Sequence, residues 1–212
     1  MRKLRIALTK GRLEKSAAEL FENIGMDISE LKAKGRRLIL PVGDYEAVLA
    51  KSADVITYVE HGVCDIGIVG KDTISEFGGN FYEMLDLKIG KCVFALAAQK
   101  GTDFYEGFSS KRIATKYPNV ARRFFDSKGM DIDIIKIEGS VELAPLLGLS
   151  DAIVDIVESG NTLRENGLEV IETISNISAR VIVNMASLKL RKDEIDNLVK
   201  GLEKAALERS KS

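Results

Sequence analysis

Residues Glu138 to Leu168 read EGSVELAPLLGLSDAIVDIVESGNTLRENGL, and the reading of this stretch decides the fold. Its centre, Asp151-Ala-Ile-Val-Asp-Ile-Val157, sets apolar β-branched residues between two acids, the composition of a buried strand. Asp151 and Asp155 are an even step apart, so on a strand they share one face near opposite ends of the segment. Glu158-Ser-Gly-Asn-Thr-Leu-Arg-Glu165 follows. Gly160 permits a tight turn, and Thr162 and Glu165 have capping-box spacing. The stretch therefore predicts strand, glycine turn and helix start. Upstream, Gly139-Ser140 opens a second short helix over Val141 to Leu147. The free amides of a helix start attract anions, phosphate above all, and carboxylates suit hydroxyls or a metal. Together they suit a sugar phosphate. The same pieces occur in α/β domains whose carboxylates are merely solvated, so spacing alone leaves both readings open.

The rest of the chain alternates in kind. Leu4 to Thr9 predicts a strand, then Lys10-Gly11-Arg12, then an amphipathic helix over 13–24 with Leu13, Ala17, Leu20, Phe21 and Ile24 on one face. Leu31 to Gly35 reads as loop, Arg36 to Leu40 as strand, Pro41 to Tyr45 as turn and Tyr45 to Ala50 as strand. Asp54 is placed to cap a helix through Glu60. Asp65 to Val69 is a strand, Gly70-Lys71-Asp72 a turn, and a helix runs to Phe77. Phe81 to Lys88 and Lys91 to Ala98 read as strands. After a composition break at 99–103 come strand Arg112 to Thr115, helix Val120 to Lys128 behind Pro118, and strand Ile132 to Ile137. Beyond Leu168, the runs 170–174 and 180–184 read as strands and 191–208 as a helix with one charged, solvated face. Alternating strands and helices predict an α/β class with mostly parallel sheets.

Composition narrows function. The 212 residues carry a net charge of −1 with 45% hydrophobic and 30% charged residues, ordinary globular values that predict neither nucleic-acid nor membrane binding. No run is long enough for a signal peptide or a membrane span. Two cysteines, Cys64 and Cys92, predict reduced thiols and a cytoplasmic location. His61 is the one histidine. That excludes the common Cys/His zinc clusters and multi-histidine relays, and its place at a helix end favours a backbone contact. Neither a P-loop nor a dinucleotide glycine fingerprint is present.

Ligands of open parallel sheets bind at the carboxyl ends of strands. Those ends read Thr9-Lys10-Gly11-Arg12, Gly70-Lys71-Asp72, Thr115-Lys116-Tyr117 and Ser159-Gly160-Asn161-Thr162. Lysines Lys10, Lys71 and Lys116 on one kind of rim favour a polyanion, although each could also be solvated.

The ordered set Glu142, Gly148, Ser150, Ile153, Asp155-Ile156, Ser159-Gly160 and Thr162-Leu163 resembles the signature of ATP phosphoribosyltransferases. So do the Lys10-Gly-Arg-Leu start, the run Tyr58 to Gly67 with Gly70 and Asp72, and Arg112 to Asn119. The resemblance covers nearly the whole chain. It implies a two-lobed, periplasmic-binding-protein-like (type II) fold with a ligand cleft between lobes, residues 1–90 plus 179–212 forming one lobe and 91–178 the other. The implied reaction condenses ATP with 5-phosphoribosyl 1-pyrophosphate, the first step of histidine biosynthesis, with Mg²⁺ carried mainly by substrate phosphates and no defined protein metal ligands. Lys10, Arg36 and Asp155 are the implied catalytic residues. Arg12, Lys51, Lys71, Thr115, Lys116, Asp151, Glu158, Ser159, Gly160, Asn161 and Thr162 are the implied substrate contacts, with Asp151 and Asp155 toward the ribose and 158–162 around the 5-phosphate. Lys51 departs from the family's usual arginine, keeping the charge but losing the bidentate fork. The chain resembles the short form that lacks a regulatory domain. This implies a homodimer alone and a hetero-oligomer with a regulatory subunit similar to a histidyl-tRNA synthetase. Two other readings compete: a cytosolic two-lobed anion sensor without turnover, and another phosphoribosyl-pyrophosphate enzyme. The latter group commonly carries an adjacent acidic pair after an apolar run, which is missing here.

Overall fold

A computed structural model describes residues 2–107 and 110–209. The chain divides into two compact units, Met1–Gly90 with Ser178–Ser212, and Lys91–Ile177.

The first unit begins with β1 (Arg5–Thr9), α1 (Arg12–Asn23), α2 (Ser29–Lys32), β2 (Ile39–Val42), β3 (Tyr45–Ala50), α3 (Ser52–Glu60), β4 (Ile66–Gly70), α4 (Lys71–Phe77) and β5 (Phe81–Asp86). The second unit holds β6 (Cys92–Gln99), β7 (Lys111–Thr115), α5 (Pro118–Ser127), β8 (Ile132–Lys136), α6 (Leu143–Leu146), β9 (Ala152–Val157), α7 (Asn161–Glu165) and β10 (Leu168–Ile177). The chain then returns to the first unit as β11 (Ala179–Asn184), α8 (Met185–Leu190) and α9 (Lys192–Arg209).

The first sheet has the order β2-β3-β1-β4-β11-β5 and the second β10-β6-β9-β7-β8. Among the described residues, only β1–β3, β1–β4, β7–β8 and β7–β9 pair in parallel. The sheets are mixed rather than mostly parallel. Strand–helix alternation sets the parallel centres, whereas the hairpin at Gly43-Asp44 and the strands where the chain passes between units pair antiparallel.

Both central strands of the first sheet are covered on both faces, which is why they read as continuous apolar runs. On β1, Ile6 and Leu8 join the cluster with Leu20, Phe21, Ile195 and Leu202, while Ala7 turns to the cluster with Val55, Val59 and Ile182. On β9, Ala152 and Val154 pack with Phe94 and Phe125, while Ile153 joins Val141, Ala144 and Leu163. The covering of this second face by α6 and α7 is what half-buries Asp155.

Several boundaries differ from expectation. The 31–35 segment overlaps a one-turn helix, α2, and the neighbouring strand starts at Ile39 rather than Arg36, taking in Pro41 and Val42. Antiparallel edge pairing accommodates Pro41, whose missing N–H a central strand would not tolerate. Lys51, not Asp54, is the N-cap of α3, leaving Asp54 in the first turn. No turn separates β4 from α4, because Gly70 is itself the helix N-cap. The expected 191–208 helix is α9, and an additional helix, α8, precedes it, with Asn184 capping α8 through bonds from the Ala186 and Ser187 N–H groups. Among the described residues no helix is long and apolar enough to cross a membrane.

Candidate active site

In the first unit, the parallel strands β1, β3 and β4 end on one sheet edge at Lys10, Lys51 and Lys71. The Lys10 N–H donates to the Ala50 carbonyl at 2.9 Å, and the Thr9 hydroxyl to the Ile68 carbonyl at 3.2 Å, so these ends are stitched together. β2 runs antiparallel to β3, and the Leu49 N–H donates to Leu38 at 2.8 Å, which brings Arg36 to the same edge. Arg12 opens α1 there, behind Gly11 at φ 99°, a conformation that L side chains resist. Five cations thus share one edge. Lys10, Arg36 and Lys51 are exposed and have no ion-pair partner among the described residues. Lys71 is different: its ammonium pairs with Glu83 at 2.6 Å, which reduces what it can offer a ligand.

In the second unit, the parallel strands β7 and β8 end level with each other at Thr115 and Lys136, beside Val154 of β9, and β9 runs on past them to Val157. Asp155 lies on β9 opposite Ala95 of β6. Burial, and the charge of Glu142 nearby, push its carboxyl up to about 6, against a hydrogen bond from the Ile156 N–H and the charge of Lys116. The strand then enters the turn Glu158-Ser159-Gly160. Gly160 takes the left-handed conformation, φ 71°, and is the N-cap of α7, whose Leu163 is buried in the core. The predicted Thr162–Glu165 capping box is not formed, because Thr162 already lies inside the helix. The turn is braced instead by Arg164, which donates to the Ser159 carbonyl at 3.2 Å and to the Asn161 side-chain oxygen.

The structure separates two predicted residues from this group. Asp151 precedes β9, so the length of the strand, roughly 20 Å at about 3.3 Å per residue, lies between it and Glu158. Its carboxylate accepts from the Arg112 N–H at 2.7 Å and the Arg112 guanidinium at 3.1 Å. Despite burial, those bonds hold it below the usual carboxylate range. It stitches the amino ends of β7 and β9. Thr115 is fully buried, donates to the Val154 carbonyl at 2.6 Å and accepts from the Tyr117 N–H at 2.8 Å. Its hydroxyl shapes the Lys116 loop and is not presented to a ligand. Glu142 and Arg164 lie beside this group although neither was among the expected catalytic residues or substrate contacts. The first is brought to Asp155 by the intervening α6, and the second was legible in principle from its helical spacing to Asn161.

A phosphate-handling chain of two α/β units, with a cationic edge on one and a carboxylate and glycine turn on the other, is the class these features define. Its fold is shared with periplasmic binding proteins: the aliphatic sulphonate binding protein SsuA from Escherichia coli superposes with a TM-score of 0.63 at 12% identity, over 98% of this chain and 74% of that one. Family resemblance is closer. The HisG family model, ATP phosphoribosyltransferase, matches residues 51–204. An ATP phosphoribosyltransferase from Clostridium kluyveri is 60% identical over 93% of this chain and 91% of its own length. One from Clostridium acetobutylicum is 62% identical over 92% of each. The solved ATP phosphoribosyl transferase (HisG:HisZ) complex from Thermotoga maritima contains a chain that superposes with a TM-score of 0.82 at 35% identity, covering 97% of this chain and 99% of that one. The chain belongs to the ATP phosphoribosyltransferase family.

Proposed function

We propose that this protein joins ATP to 5-phosphoribosyl 1-pyrophosphate, releasing pyrophosphate and N1-(5-phosphoribosyl)-ATP, the first step of histidine biosynthesis. The observation that carries the reading is Asp155, a half-buried carboxyl beside Glu142, at the strand end that feeds the Ser159–Thr162 turn. Adenine N1 attacks the anomeric carbon, a C–N bond forms, and the bond to pyrophosphate breaks with its electron pair leaving on oxygen. The ribosyl carbon becomes cation-like, and ionised Asp155 stabilises that charge. Ser159, Gly160, Asn161 and Thr162, with Glu158 at their entry, hold the 5-phosphate. Lys116 balances the acids nearby. Lys10, Arg12, Arg36 and Lys51 take the polyphosphate charge, with Lys71 a weaker contributor because of Glu83.

Among the described residues no three of His, Cys, Asp and Glu converge as a metal site. We read the ion as one carried mainly by the substrate phosphates. Mg²⁺ held with the substrate would supply charge neutralisation at the leaving pyrophosphate, alongside Lys10 and Arg36. The Thermotoga maritima relative was solved as a HisG:HisZ complex, which supports a hetero-oligomer here; we read the chain alone as a homodimer and its partner as a regulatory subunit resembling a histidyl-tRNA synthetase. The two free cysteines, Cys64 and Cys92, fit a cytoplasmic location. The test is ATP-dependent pyrophosphate release, with and without the regulatory subunit. Binding of a small anion without release would favour a sensor.

A further inference from the structure

We propose that Arg164 is a positioning residue that fixes which way the Asn161 amide points, so that its NH₂ group serves the bound phosphate. This rests on the transferase reading, which places Asn161 at the 5-phosphate and gives Arg164 no role. Arg164 lies on the exposed side of α7, and its guanidinium folds back over the turn that precedes the helix. One nitrogen donates to the Ser159 carbonyl at 3.2 Å and the other to Asn161 Oδ1. The same guanidinium lies against Gly160, where an added Cβ would stand 3.1 Å from Nη1.

The consequence follows from the chemistry of the two groups. A guanidinium carries only donors, whereas an asparagine amide has an acceptor end and a donor end. Only Oδ1 of Asn161 can face Arg164, so Nδ2 and its two hydrogens must face away from it. A free asparagine at an exposed turn would sample both orientations, and one of them aims a carbonyl oxygen at the phosphate. Arg164 removes that orientation before the substrate arrives. The bond to the Ser159 carbonyl anchors the guanidinium over the turn. The substrate's 5-phosphate is remote from the bond that breaks, so this contact acts on ground state and transition state alike and appears in KM rather than kcat.

The test uses steady-state pyrophosphate release by the full chain, with the regulatory subunit if activity requires it. Arg164→Ala is expected to raise KM for phosphoribosyl pyrophosphate by about 2- to 12-fold, the range for ordering one side chain. The kcat should change less than about 2-fold, and Arg164→Lys should recover part of the loss. In an Asn161→Ala background, Arg164→Ala should add less than about 2-fold, because there is no amide left to orient. Full additivity would overturn the proposal and make Arg164 a direct phosphate contact. An unchanged KM in Arg164→Ala would overturn it as well. The Asn161 side-chain amide signals in a ¹⁵N-labelled sample, compared between wild type and Arg164→Ala without substrate, separate this from failure of the transferase reading. The lock requires that they shift. A wild-type chain without turnover whose amide still responds to Arg164 would sink the transferase reading alone, and an unresponsive amide would sink the lock.

Discussion

The Thr115 hydroxyl donates to the Val154 carbonyl at 2.6 Å, tying the carboxyl end of β7 to β9 one residue before Asp155. The same oxygen accepts from the Tyr117 N–H at 2.8 Å and so sets the course of the Lys116 loop. Thr115→Val keeps the shape and removes both bonds inside a buried site. It should cost about 1–3 kcal/mol of stability, read as a lower urea midpoint with an unchanged m-value. KM for phosphoribosyl pyrophosphate should rise as the Lys116 loop loosens. An unchanged midpoint would show that the strand ends are held without this hydroxyl.

Asp155 opposes stability while serving function. Burial lifts its carboxyl to about 6 from an ordinary value of 3.8. Between those values the folded chain keeps a proton that the unfolded chain has lost, so stability is highest below the window and declines as pH rises through it. Asp155→Asn removes that cost. The variant should be more stable than wild type at pH 7–8, on the order of 1–3 kcal/mol, and nearly inactive. Thermal melts at pH 5 and 8 check this, because the advantage should shrink at the lower pH.

In the proposed mechanism, turnover requires the opposite protonation state. Asp155 must be ionised to stabilise a cation-like carbon, so kcat/KM should fall about tenfold per pH unit below about pH 6. A profile flat from pH 5 to 8 would remove Asp155 from that role.

Lys10 and Arg36 reach the first unit's cationic edge without ion-pair partners among the described residues. Lys10→Ala and Arg36→Ala should each lower kcat/KM by roughly 10²-fold, the scale of losing one donor to developing negative charge. Their melting temperatures should stay near wild type, because exposed unpaired side chains contribute little to stability. Lys51→Arg should lower KM by a few-fold if that position meets a phosphate, since a fork replaces a point charge.

Gly67 sits where β4 is pressed between β11 and α3. A Cβ there would stand 2.8–2.9 Å from methyl or methylene carbons of Val59, Val55 and Ile182. Gly67→Ala should cost about 1–3 kcal/mol by overpacking. Denaturant melts check it, with neutrality implying that α3 can shift outward.

Much of the fold was legible because periodicity and turn chemistry act locally. The buried run at 151–157 and Gly160 settled β9 and its turn without reference to the rest of the chain. Antiparallel pairing of β6, β10 and β11 was not legible, since strand direction depends on how the chain passes between units. The closeness of Asp155 to the 159–162 turn was legible, because strand end and turn are contiguous in sequence. The distance of Asp151 from that turn and its bonds to Arg112 were not legible, because an even spacing says which face a residue takes and not what it bonds. Thr115 was misread because sequence does not show whether a hydroxyl is already used. Glu142 reaches Asp155 only through the packing of α6.

The most direct test is pyrophosphate release from phosphoribosyl pyrophosphate with ATP and Mg²⁺, by wild type and Asp155→Ala, with and without the regulatory subunit. The account predicts ATP-dependent release by wild type that Asp155→Ala abolishes. Release that persists in Asp155→Ala, or tight binding of phosphoribosyl pyrophosphate with no release in either mixture, would contradict it.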